Sequence, residues 1–257
     1  MKKILLKISF ISLQFGFDIL KPIKFFKGLP RYIKNYIQFK KNYKGSMEIL
    51  PCLHDWYEEG GNTKGEYFLQ DLYVARMIAQ KNPLNHIDVG SSIEGFVAHV
   101  ASFREIVVLD VRPITSEIPG IKFKQANLSL PIGESEYESY SSVSCLHALE
   151  HFGLGRYGDP IDVNGHEKGL KNISNLLKKE GDLYLSVPIG IERVEFNANR
   201  VFDPRKIILL AKECNLELKK FVSIEKSVVI EMTIDQINFE KLANQRYALG
   251  IFIFSKF

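Results

Sequence analysis

The chain has 257 residues, enough to bury a substantial core in one or two domains, and its 46% hydrophobic and 25% charged content is ordinary for a globular protein. Three widely spaced cysteines (Cys52, Cys145, Cys214) follow no metal-ligand or disulfide pattern, and no apolar run reaches the ~18 residues of a membrane span, which argues against a zinc module, a disulfide scaffold and an integral membrane protein. Charge is uneven: residues 1–44 hold eleven Lys/Arg and one acid, a net of +10 in a chain of +4, leaving −6 on residues 45–257.

Residues 1–44 read as a basic amphipathic helical arm. Ile4, Leu5, Ile8, Ile11, Phe15 and Ile19 recur at helical spacing among Lys2, Lys3 and Lys7. Pro22 and Pro30 break the pattern, and Phe25, Phe26, Tyr32, Ile33, Tyr36, Ile37 and Phe39 follow with further lysines. Lys7 interrupts the apolar stretch and no small-residue cleavage site follows, so a secretory signal fits poorly. Two readings stay open: an arm lying on an anionic membrane surface, or an accessory layer packed on the main domain. Nucleic acid is not an expected partner. The expected compartment is a reducing cytoplasm, at the inner face of the membrane under the first of these readings.

Residues 45–83 read as a helical lead-in that covers a cofactor. Gly60-Gly61-Asn62-Thr63-Lys64-Gly65 is a loop, and Phe68, Leu69, Leu72, Ala75, Arg76 and Ile78 mark a helix after it, with Tyr67 or Gln70 as its ligand contacts. From 84 to 257 the pattern alternates in α/β fashion. Strands are expected at 85–89, 106–110, 121–124, 142–146 and 182–187, then at 216–222, 228–233 and 247–254. A first crossover helix spans 95–103. A second lies within 161–179, with Lys178 and Lys179 in its last turn and Gly181 just past it.

The densest signal is His86-Ile87-Asp88-Val89-Gly90-Ser91-Ser92-Ile93-Glu94-Gly95-Phe96 followed by Val107-Val108-Leu109-Asp110. A short strand enters a small-residue turn, a helix pattern follows, and a second strand ends in an acid 22 positions after Asp88. Such a unit grips a nucleotide-like cofactor at the carboxyl ends of a parallel sheet, the second acid accepting from ribose hydroxyls. A dinucleotide fits badly, because Ser92 stands where pyrophosphate needs glycine and Asp88 would face another anion. S-adenosylmethionine, with its ammonium and sulfonium, suits Asp88.

These residues resemble the class I S-adenosylmethionine-dependent methyltransferases. Asp88-Val89-Gly90 looks like the superfamily's first motif and Asp110 its ribose-binding acid; Gln125-Ala126-Asn127-Leu128 looks like its adenine loop; Ser144 to His151 resembles the fourth-strand segment under the cofactor. The resemblance implies a Rossmann-like, mostly parallel, seven-stranded sheet. It also implies a cofactor site of Asp88, Gly90, Ser91, Ser92, Gly95, Asp110, Val111, Asn127, Leu128, Cys145 and Leu146. Asn127 stands where Asp is common and would meet the adenine amine through its side-chain carbonyl. Longer segments, among them Glu150-His151-Phe152-Gly153-Leu154-Gly155-Arg156-Tyr157-Gly158-Asp159-Pro160 and Glu195-Phe196-Asn197-Ala198-Asn199-Arg200, are similar to an uncharacterised methyltransferase-like family first catalogued as a nematode domain of unknown function. Bacterial members of that family often lie among surface-polysaccharide genes.

A hydroxyl acceptor needs a base. His147 and His151 lie just past the fourth strand, where substrate enters, with Glu150 between them. His147-x-x-Glu150-His151 also matches an inverted zinc-peptidase signature, but a strand directly precedes it and the cofactor motifs explain its position, so no metal is expected. Arg156, Tyr157 and Asp159 suit sugar recognition, unless Arg156 and Asp159 only pair with each other; Asn197 and Arg200 would form the opposite wall. Arg112 either pairs with Asp110 or touches ligand. The expected function is O-methylation of a sugar or glycan precursor. Ser92, Glu94 and Asn127 motivate the alternative, a non-catalytic binding or scaffold protein on the same fold.

Overall fold

The computed structural model describes residues 11–16, 18, 20–61, 63 and 65–257. Ile4, Leu5, Ile8 and Ile19 of the arm, its Lys2, Lys3 and Lys7, and Asn62 and Lys64 of the loop lie outside the described residues. The chain divides into two compact units, residues 1–62 and 63–257, so the division falls inside the 45–83 segment.

In the first unit, α1 (Leu20–Asn42) runs through both prolines that were expected to break it. Pro22 sits in the first turn, where no intrahelical donor is needed. Pro30 lies in the interior and costs one ladder bond, tolerated here on an exposed face. Gly28 faces Leu53 so closely that a Cβ would lie 2.8 Å from the Leu53 carbonyl. The Arg31 guanidinium lies 4.1 Å over the Trp56 ring, and Lys24 pairs with Glu58 at 3.5 Å. Among the described residues, no helix is long and apolar enough to cross a membrane.

The second unit begins with α2 (Glu66–Lys81) and continues into β1 (Ile87–Val89), a wide turn over 93–97, α3 (Ala98–Ala101), β2 (Ile106–Asp110), β3 (Ile121–Gln125) and β4 (Tyr140–Leu146). Then come α4 (Gly165–Leu176), β5 (Leu177–Ile189), a small hairpin of β6 (Arg193–Glu195) and β7 (Asn199–Val201), and α5 (Pro204–Glu213). The last elements are β8 (Leu216–Glu225), β9 (Val228–Met232), α6 (Phe239–Ala243) and β10 (Ala248–Lys256).

The sheet order is β3-β2-β1-β4-β5-β10-β8-β9. The first five strands are parallel; β10, β8 and β9 join antiparallel. The sheet is therefore eight-stranded and mixed rather than seven-stranded. The eighth strand, β9 at the edge, falls on the strand expected at 228–233; Lys226 and Ser227 both take positive φ and close a two-residue hairpin that pairs Glu225 with Val228. Period-2 alternation sends Ile87, Val89, Val143, Cys145, Leu183 and Leu185 into one core layer, under α4 and α5. Ile106, Val108, Leu146 and Tyr184 enter the other, packed with Val74, Ala75 and Ile78 of α2.

The helix expected to reach Lys179 ends at Leu176, and residues 177–181 are strand. Leu176 and Leu177 are both fully buried, so the chain enters the sheet without an intervening exposed turn. Lys256 of β10 caps the helix end, its Nζ donating to the Ser174 and Leu177 carbonyls at 3.1 and 2.8 Å.

Candidate functional site

Strand order reverses between β1 and β4, and a cleft opens at the carboxyl ends of the parallel strands there, where α/β sheets hold ligands. It has two lobes of about 540 and 1110 Å³, space at the mouth included, that share Gly90, Asp110, Arg112, His147, His151 and Tyr157.

The turn after β1 is held from below. Asp88 is fully buried and accepts from Ser91 N (2.9 Å), Ser91 Oγ (2.6 Å) and Ser144 Oγ (2.5 Å). Burial pushes its carboxyl up to about 6, against the pull of these hydrogen bonds. His86, two residues earlier on the same face, contacts Ser142 Oγ and Ser144 Oγ at 2.8 and 3.1 Å, and burial drives its imidazole down to about 3. Asp88 thus fastens the turn rather than lining the cleft, contrary to its expected place against the cofactor's cationic end. Gly90, at φ +70°, has no room for a side chain: a Cβ would lie 2.9 Å from Ala148 Cβ. Ser92 Oγ accepts from Gly95 N at 3.2 Å, and Val97 N bonds Ser92 O five residues back at 3.1 Å, a π-type turn.

Gly95 and Cys145, also expected at the cofactor, are not on the cleft walls. Gly95 makes room for Asp71, whose Oδ2 lies 2.3 Å from where a Cβ would stand. Cys145 is buried in the opposite core layer, and burial raises its thiol well above the usual range. Ser91, Ser92, Val111, Asn127, Leu128 and Leu146 do line the lobes. Asn127 Oδ1 already accepts from Ser129 N at 2.9 Å.

At the end of β2, Arg112 clasps Asp110. Asp110 Oδ1 accepts from Arg112 N (2.8 Å) and Nε (3.1 Å), and Oδ2 accepts from Nη2 (2.8 Å). Of the alternatives open for Arg112, the structure gives the pairing, and the same guanidinium lies 4.4 Å over the Tyr157 ring.

Past β4, His147 takes a left-handed conformation (φ +53°) and lines both lobes. Its Nδ1 lies 2.7 Å from Glu150 Oε1. A carboxylate only accepts, so in the neutral imidazole Nδ1 carries the proton and Nε2 the lone pair. Nε2 is buried with no hydrogen-bond partner, as is Glu150 Oε2. His151 Nδ1 donates to the Ala198 carbonyl at 2.7 Å, while its Nε2 is 3.8 Å from Glu150, beyond hydrogen-bond range. Burial lowers the His151 imidazole, with Glu150 opposing. Glu150 itself stands behind the two histidines, outside the cleft lining.

The Gly153–Pro160 loop is folded by Asp159, which accepts from the backbone N–H groups of Gly153 (2.7 Å), Gly155 (3.3 Å) and Tyr157 (3.3 Å). Asp159 does not pair with Arg156; Arg156 donates to the Ala198 carbonyl at 2.8 Å and its guanidinium lies 5.1 Å over Tyr157. Arg156, Tyr157 and Asp159 all reach the cleft. Asn197 and Arg200 do not form its opposite wall. Asn197 is exposed at the β6–β7 hairpin. Arg200 is buried beneath the loop, donating to the carbonyls of Glu150 (3.3 Å), Phe152 (2.6 Å) and Val163 (3.3 Å).

The wall comes instead from α2. Tyr67, exposed over much of its surface, packs its ring 4.4 Å from that of His147, and desolvation of its hydroxyl at that contact, with Glu150 nearby, pushes its phenol up to about 12. Gln70 accepts from Ser186 Oγ and donates to Asp71 Oδ1 at 2.9 Å; both line the larger lobe, and burial raises the Asp71 carboxyl. Asp71 is not among the ligand contacts the sequence predicts, although it directly follows Gln70, which is.

Residues 127–251 match the family model described as "Caenorhabditis protein of unknown function, DUF268", a span that includes His147, Glu150, His151 and Arg200. A sequence search of curated proteins returned no match. Among solved structures, the chain is similar to a Burkholderia thailandensis 1,6-didemethyltoxoflavin-N1-methyltransferase with bound S-adenosylhomocysteine: 12% identity, 74% of this chain and 79% of that one, TM-score 0.50. It is also similar to a TehB-like S-adenosylmethionine-dependent methyltransferase from Corynebacterium glutamicum: 16% identity, 89% and 100% coverage, TM-score 0.50. The fold is that of the class I S-adenosylmethionine-dependent methyltransferases.

Proposed function

We propose that the chain is an S-adenosylmethionine-dependent methyltransferase acting on a hydroxyl of a sugar or glycan precursor. The observation that carries this reading is the buried His147–Glu150 pair, whose unpartnered Nε2 belongs to a side chain on both lobes of the cleft.

The residues present fit the cofactor. Gly90, which carries no side chain, lines both lobes, and Val89, Leu109 and Leu128 give the smaller lobe apolar walls for a flat ring. Asp110 Oδ2 accepts a single hydrogen bond, so it retains a lone pair for a ribose hydroxyl. Asp71, on the larger lobe, offers a carboxylate to the cationic end in place of Asp88. The Burkholderia relative binds the demethylated cofactor product, which supports the same assignment.

When bound, S-adenosylmethionine supplies an electrophilic methyl group on a sulfonium. The chain's own residues position the acceptor and take its proton. Glu150 fixes the His147 tautomer, leaving the Nε2 lone pair to take a hydroxyl proton as the oxygen attacks, once acceptor binding uncovers this buried atom. Tyr157 and Arg156, held by the Asp159-folded loop, offer an aromatic face and a cationic donor of the kind that binds sugars. Tyr67 covers the His147 ring and limits water access.

The test is methyl transfer from labelled S-adenosylmethionine to a panel of sugars and glycan precursors. His147→Ala should lower turnover by about 10²–10⁴-fold while cofactor binding persists. An unchanged rate on a confirmed acceptor would overturn the role of His147.

A second reading, a binding or scaffold protein without turnover, is favoured by one observation: Arg112 engages both oxygens of Asp110, where the ribose would sit.

A further inference from the structure

The helix α1 carries two opposite faces. The inner one is covered by its own unit, through Gly28 against Leu53 and Arg31 over Trp56. The outer one holds Ile23, Phe26, Ile33 and Ile37, which are 61, 69, 48 and 62% exposed. With exposed Pro30 between them they are spaced three and four apart, so they form one continuous apolar stripe four turns long. Lys27, Lys34 and Lys41, seven residues apart and all exposed, run along its border. The helix contains seven Lys/Arg and no acid.

We propose that this face is a docking surface for an anionic lipid bilayer. Exposed bulky apolar side chains flanked by lysines meet the two demands of an interfacial helix: the rings and aliphatic groups enter the acyl boundary while the ammonium groups reach anionic headgroups. The helix lies on the bilayer and does not cross it, since no window of it is apolar enough to span. Charge decides between occupants. A second copy would set the bordering Lys27, Lys34 and Lys41 against the same lysines, and a nucleic acid would leave the apolar stripe unused. The inference is independent of the reaction in the cleft, which lies wholly within the other unit.

The experiment is co-sedimentation of the full chain with vesicles of phosphatidylglycerol and phosphatidylcholine, and with phosphatidylcholine alone, at low and high salt. Binding at least tenfold tighter to the anionic vesicles, weakening as salt rises, is expected. K34Q/K41Q should weaken it about 25-fold, at about fivefold per lysine. F26S/I33S/I37S should weaken it at least tenfold, with helicity by circular dichroism unchanged because all three positions are exposed. Equal binding to neutral and anionic vesicles, or none to either, would overturn the proposal without reference to any variant. So would a concentration-dependent dimer that the serine substitutions dissolve while vesicle binding is absent, which would identify a second copy as the occupant.

Discussion

Arg112 and Asp110 hold each other through three hydrogen bonds, two of them on Oδ1. This small detail separates the two functional readings. If Arg112 serves to orient the carboxylate for a ribose, Arg112→Ala should weaken S-adenosylmethionine binding about tenfold, the loss of one charge-assisted hydrogen bond's worth of order. If Arg112 blocks the site, the same substitution should tighten binding. Isothermal titration of the variant gives the sign directly. The sequence left Arg112 poised between these partners because two residues of separation at a strand end allow either direction. Asp88 departs from its expected place for a related reason. An acid in the turn looks ligand-facing, yet period-2 alternation from Ile87 and Val89 sends it inward with His86, onto Ser144. Asp71 was harder still: the helix was expected to reach ligand through Tyr67 or Gln70, and nothing local marks which further polar residues of an amphipathic helix its tertiary contacts will bury.

At the level of elements, the strands were the most legible part. Continuous apolar runs such as Ile106–Asp110 mark a buried parallel strand whatever surrounds them. The β6–β7 hairpin was not legible, because three-residue strands carry no periodic signal. The helix α5 was missed although Asp203-Pro204 is an N-cap followed by a proline at N1, with Asp203 Oδ1 accepting from Arg205 N at 2.9 Å. The hairpin delivers Arg200 beneath the 150–163 segment, where it satisfies three carbonyls. Arg200→Ala should therefore cost about 2–4 kcal/mol, from buried acceptors left without a donor. Thermal denaturation should show a fall of roughly 5–15 °C. An unchanged midpoint would mean the loop holds itself, through Asp159 alone.

Across the whole molecule, a polar seam of His86, Ser142, Ser144, Asp88 and Ser91 runs through the sheet under the cofactor turn. Its two titratable groups act on stability in opposite directions. His86 is driven down to about 3 by burial, so its contribution is complete above the unfolded value of 6.5 and is lost as pH falls toward 3. Asp88 is raised to about 6, so its contribution is complete below 3.8 and is lost as pH rises through 6. Between about pH 4 and 6 the two slopes nearly cancel, and the wild-type curve alone hides both. The stability gap between wild type and His86→Asn isolates the first. It should shrink by about 1.4 kcal/mol for each pH unit below 6.5. A pH-independent gap in denaturant melts would show that His86 is not held neutral.

The central claim is that the cleft at the end of β1 and β2 binds S-adenosylmethionine through Asp110. Calorimetric titration of the purified chain with S-adenosylmethionine and S-adenosylhomocysteine, beside Asp110→Ala, tests it most directly. The account predicts micromolar binding of both by the wild type and loss of at least tenfold in the variant. A well-folded wild type that binds neither would contradict it.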